Sequence, residues 1–148
     1  WDYDLCYVSI NNADVNEYIN AIDIELSGLS GAEGWNLPAF NASALGKWSI
    51  VLNHTSHKDW ATSENCILVE PTSRETAADG FFFQEGAPFN QGYICGCTDD
   101  EMIKAFEEGE AQCKKQNDEG VKLQEDFTYE KTLTTLLTLA QSCCDSGS

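Results

Sequence analysis

The sequence predicts an α+β domain: a mostly antiparallel sheet with helices packed on one face, an α/β sandwich stabilised by disulfides. Three observations carry that expectation. Short aromatic and β-branched runs alternate with amphipathic helical stretches. Seven cysteines fall on both kinds of element. A chain of 148 residues with 42% hydrophobic content is long and apolar enough for one buried core.

In order, Asp2 to Ile10 reads as a strand with Cys6, Val8 and Ile10 on one face. Asn11 and Asn12 break the run, and Asp14 with Glu17 gives a capping-box start to a helix over residues 13–27. Its apolar stripe is Val15, Tyr18, Ile19, Ile22 and Leu26, and Gly28 is its stop. Residues 28–46 turn to Gly, Ser, Ala and Asn and read as a long loop. Strands are expected over 47–52, 66–70 and 81–84, with a turn-like stretch from Pro71 to Gly80. Tyr93 to Cys97 is a further strand, in which Cys95 and Cys97 share a face. Thr98 with Glu101 then fits a capping box, opening a helix that carries Met102, Ile103, Phe106 and Cys113 near one face. A last helix over 127–144 puts Tyr129, Leu133, Leu136, Leu137 and Ala140 on a stripe. The organisation expected is a single domain, 1–148, with 121–145 as an appended C-terminal helix.

Charge narrows the partners. Lys plus Arg number 8 against 25 Asp plus Glu, a formal net charge of -17. Such a field repels nucleic acid and anionic membrane surfaces, and leaves a neutral or basic protein or cell-surface target as the natural partner. No apolar run approaches the ~20 residues that cross a bilayer.

The cysteines Cys6, Cys66, Cys95, Cys97, Cys113, Cys143 and Cys144 lack the paired spacing of zinc sites and read as a disulfide framework joining strands to helices. The odd number leaves one cysteine over for a disulfide-linked dimer. Two sequons, at Asn41 and Asn53, agree with an extracellular glycoprotein, as does a chain that opens at Trp1 without an initiator Met.

No catalytic, cofactor or metal signature is found. His54 and His57 with Asp59 form the most reactive-looking group, and they define a hydrolase alternative in which a histidine works with a carboxylate. No nucleophile motif accompanies them, so a polar loop beside a glycan is the favoured reading. Asp99, Asp100 and Glu101 suit a helix start better than a calcium loop. Trp48 and Phe81 to Phe83 are expected in the core, whereas Trp35 and Trp60, in polar loops, are expected to contact a partner. A third alternative is an extracellular carrier of a small apolar ligand, held between sheet and helices by aromatic side chains.

An early Cys6 on a first strand, an acid-capped amphipathic helix, the Gly46-Lys47-Trp48 strand and the later Cys66-Ile67-Leu68-Val69 strand give the chain a recognisable layout. It resembles the small secreted cysteine-rich proteins of fungi, including killer toxins and the plant-pathogen virulence effectors that share their α/β-sandwich fold. The resemblance covers roughly residues 1–115 and departs from it in the C-terminal helix, in Cys143-Cys144 and in the odd cysteine count. It implies a secreted, non-enzymatic protein acting on a host or competitor cell, and it carries over no functional residue.

Overall fold

The computed structural model describes residues 11–78, 80–86, 88 and 92–145, the last by its backbone alone. The strand expected over 2–10, with Cys6, lies outside the described residues. The chain is α+β, but its organisation corrects the expected one in three respects.

The first concerns the helices near the N-terminus. Helix α1 spans Asn12–Ala21 and is capped by Asn11, whose side chain accepts from the N–H groups of Ala13 and Asp14. It ends at Ile22, in extended backbone, and Ile24–Gly28 forms strand β1. The helix expected to run to residue 27 is cut short because Ile24 and Glu25 pair with Trp48 and Ser49 of β2, Trp48–Leu52. Helix propensities differ by less than about 1 kcal/mol per residue, so sheet pairing and burial override them. The expected loop over 28–46 contains helix α2, Leu37–Ala44. Asn36 starts it from the left-handed region, φ 63°, which asparagine tolerates better than most residues. Its Oδ1 accepts from Ala39 N, and its Nδ2 donates to Ser27 O at 3.0 Å, tying the helix start to β1.

The second correction is strand direction. β1, β2 and β3 (Ile67–Val69) form a three-stranded sheet in that order, and both pairings are parallel. The antiparallel component is a separate two-stranded sheet of β4, Ser73–Thr76, and β5, Tyr93–Gly96. β4 falls where a turn was expected, whereas Phe81 to Phe83, expected as a strand, form bends with Phe81 and Phe82 each 79% exposed.

The third correction is layering. Alternation along β2 sends Val51 to one face, against Ala39 and Ala44 of α2 and Leu123. Ile50 and Leu52 go to the other face, with Ile67, Val69 and Ala105. Ala105 belongs to helix α3, Asp99–Gln112, so helices cover both faces rather than one. Parallel strands require crossovers, and crossovers place helices over the sheet. The expected capping box at Thr98 and Glu101 is formed. Gly109 lets α3 approach closely, since a Cβ there would lie 2.8 Å from Ile24 Cδ1 and 3.3 Å from Ile50 Cδ1.

Two short helices follow, α4 at Asp118–Val121 and α5 at Leu123–Asp126, before the long α6 at Tyr129–Asp145. The short pair is anchored by Asn117, which is 1% exposed. Its Nδ2 donates to Lys47 O at 2.9 Å and Asn65 O at 2.7 Å, while its Oδ1 accepts from Gly120 N at 2.8 Å. One side chain thus joins the segments entering β2 and β3 to the start of α4. No disulfide joins two of the described cysteines, so the expected strand-to-helix bridges among them are corrected to packing and hydrogen bonds of this kind.

Asn117→Ala strands two carbonyls and one N–H in the interior, and the cost of unmet buried groups predicts a loss of about 3 kcal/mol. Urea unfolding of wild type and variant checks it through a lower midpoint at unchanged slope.

Candidate binding groove

Where β1 forms an edge of the parallel sheet, α1 and α2 flank it and leave a groove of about 500 Å³. Val15, Ile19 and Ile22 of α1's face, Ile24 and Leu26 of β1, and Leu37 at the start of α2 give it apolar walls. The split of the expected helix creates this groove, because a helix continuing to residue 27 would have carried Leu26 away from the sheet. Three polar side chains interrupt the walls: Glu25, Ser27 and Asn41. Glu25 Oε1 accepts from Ser27 N at 2.9 Å, and Oε2 is buried with no hydrogen-bond partner. Ser27 Oγ donates to Asn36 Oδ1 at 2.9 Å, which fixes that rim to the α2 cap. An apolar cleft with a few fixed polar groups is the common form of a small-ligand site.

The histidines behave differently from each other. His57 sits in a 3₁₀ turn at Thr55–Asp59 after β2 and is fully buried. Its Nδ1 donates to Leu52 O at 2.8 Å, its ring stands edge-on to Trp60 at 5.9 Å, and Nε2 meets no partner. A ring sealed this way packs the end of β2 and presents no surface to a substrate. His54 is half-buried, and Asp59 is exposed. Among the described residues no group of three His, Cys, Asp or Glu side chains is placed to hold a metal ion.

Trp60, expected at a contact surface, is 3% exposed and belongs to the core with Val51 and Cys66. Its Nε1 donates to Trp35 O at 3.1 Å. Trp35 is half-buried and packs against Phe40 and Phe127, with ring centroids 5.6 and 5.3 Å away. Polar sequence neighbours hid this cluster, because its members come from three separate segments. Of the sequons, Asn41 is exposed on α2 while its Ser43 is fully buried. Asn53 follows β2, and its Nδ2 donates to Glu70 Oε1 at 2.5 Å.

Cys66 is 2% exposed beneath α2, beside Ser43 at 3.4 Å. Burial pushes its thiol up to about 12, the Ser43 hydrogen bond pulls it down in part, and the Glu25 carboxylate adds to the rise. Cys97 is also raised, first by burial and then by the charges of Glu101 and Asp99. Cys95 and Cys97 pack beside the α3 face of the core, and Cys113 Sγ donates to Glu110 O at 3.3 Å. Cys143 and Cys144 are exposed near the end of α6. Comparison of the chain with protein-family models, curated protein sequences and solved structures returns no match.

Alkylation by iodoacetamide at pH 8 should spare Cys66 in the folded protein and modify Cys144, as read by peptide mass spectrometry. The unfolded chain releases the Cys66 proton near the ordinary 9.0 and the folded chain only near 12. Unfolded protein is therefore favoured as pH rises between those values, and Cys66→Ala should remove that part of the alkaline stability loss.

Proposed function

We propose that the protein is a secreted, non-enzymatic binding protein of the effector or toxin-like kind, directed at a protein or surface of a host or competitor cell. The observation that carries this reading is the apolar surface around the β4–β5 hairpin. Phe81 and Phe82 are 79% exposed, Tyr93 53% and Ile94 40%. The Arg74 guanidinium lies 3.8 Å from the centre of the Tyr93 ring. An exposed tyrosine stacked on an arginine, with two exposed phenylalanines in the loop between the same two strands, has the residue types of interface hot spots. The net charge of -17 selects neutral or basic targets over phosphate-rich ones. Cysteine content and the two sequons support an extracellular setting. The sealed position of His57 gives the hydrolase alternative no support.

Binding of fluorescently labelled protein to intact plant or fungal cells tests the proposal. Phe81→Ala with Phe82→Ala should weaken saturable binding at least about tenfold, by the usual weight of hot-spot aromatics, with an unchanged melting temperature. Absence of saturable binding by the wild type, or equal binding by the variant, would sink it.

The groove favours a second reading, carriage of a small apolar ligand, although its walls are mainly aliphatic rather than the expected aromatics. An anilinonaphthalene probe should brighten on adding the folded protein, and Leu26→Glu should abolish that response by placing a charge in the cleft. A probe that stays dark with wild type removes the reading.

A further inference from the structure

We propose that α6 pairs with the α6 of a second copy of the chain. Every described side chain from Tyr129 to Cys144 is exposed, including Leu133 at 59%, Leu136 at 57%, Leu137 at 71% and Leu139 at 57%. None of the buried core residues lies on this 17-residue helix. At 100° per residue, Tyr129, Leu133, Leu136 and Ala140 follow the alternating four-three spacing of a coiled-coil seam. Leu137 and Leu139 flank that seam and widen the apolar arc to roughly 160° of the helix, which takes in Thr132, with Thr134, Thr135, Thr138 and Gln141 on the remainder. An amphipathic helix keeps such a face by covering it, since isolated helices of this length are marginal in water.

Charge selects the occupant. The segment Thr132 to Cys144 carries no ionisable acid or base apart from its thiols, in a chain of net charge -17. Two copies repel each other almost everywhere else, so contact through this uncharged face brings the acidic bodies together least. An anionic membrane is a poor occupant, because Lys131 is the only basic residue on the helix, whereas membrane-surface helices carry a basic polar face. The contact is small. A helix of 17 residues is about 25 Å long, which limits the contact to one short seam. Association is therefore weak, dependent on concentration, and strengthened by salt that screens the acidic bodies.

Sedimentation equilibrium of the full chain under reducing conditions, from about 1 to about 200 µM, tests the proposal, since mass action makes dimerisation visible across such a range. The wild-type mass should climb from one chain toward two and climb earlier at about 0.5 M salt, where the screening length falls to a few ångströms. Leu133→Glu with Leu136→Glu should stay monomeric throughout, while Thr134→Glu with Thr138→Glu, on the opposite face, should still dimerise at high salt. Unchanged circular dichroism of the leucine variant shows that its body is folded. A wild type that remains monomeric, or a threonine variant that loses dimerisation as completely as the leucine variant, overturns the proposal. So does co-sedimentation of monomeric wild type with phosphatidylcholine vesicles, which would make lipid the occupant.

Discussion

Burial of β2 on both faces is the constraint from which the remaining architecture follows. Ser49, Ile50, Val51 and Leu52 are all fully buried, so neither face of the strand meets water. Such a strand needs a neighbour on each edge and a layer packed above and below. β1 and β3 occupy the edges, α2 covers Val51, and α3 covers Ile50 and Leu52. The small residues at the closest approaches, Ala39 and Ala42 on α2 and Ala105 and Gly109 on α3, are what a two-sided layer demands.

Polar side chains supply the specificity that disulfides were expected to supply. Ser43 Oγ donates to Ser49 Oγ at 3.0 Å, and Ser49 Oγ donates to Ala39 O at 2.9 Å, which fixes α2 over the sheet. Asn36 fixes the α2 start to β1, and Asn117 fixes α4 to the entries of β2 and β3. Glu101 extends the same logic to the second sheet. Its carboxylate accepts from Thr72 Oγ1 at 2.7 Å as well as from the Thr98 cap, and these bonds hold it below the ordinary carboxylate range. Each bond satisfies a donor or acceptor that would otherwise be left unmet where the elements meet.

Among the described residues, apolar surface that this framework does not close includes the groove beside β1, the aromatics around β4 and β5 and the face of α6. These surfaces occur in a chain of net charge -17, whose field repels other acidic surfaces.

Local chemistry was legible in the residues themselves. The Thr98 and Glu101 cap, the strands expected over 47–52 and 66–70 and found at Trp48–Leu52 and Ile67–Val69, and the α6 stripe each depend on neighbours within a few positions, where periodicity and capping operate. The start of α2 was also signalled, by Asn36 before Leu37-Pro38 and by alanines at 39, 42 and 44, but glycine, serine and asparagine around it read as loop. Tertiary structure alone decided that Ile24–Gly28 is a strand, because only the facing β2 stabilises it there. It also decided that Trp60 is interior, since Trp35 and Phe40, which pack against it, come from a separate segment, and that His57 is interior, since its ring stands against that same Trp60. Strand direction belongs with these. An apolar run such as Ile50-Val51-Leu52 shows that a strand is buried, but parallel or antiparallel pairing is set by the path of the chain between strands, and so by contacts with no local signature.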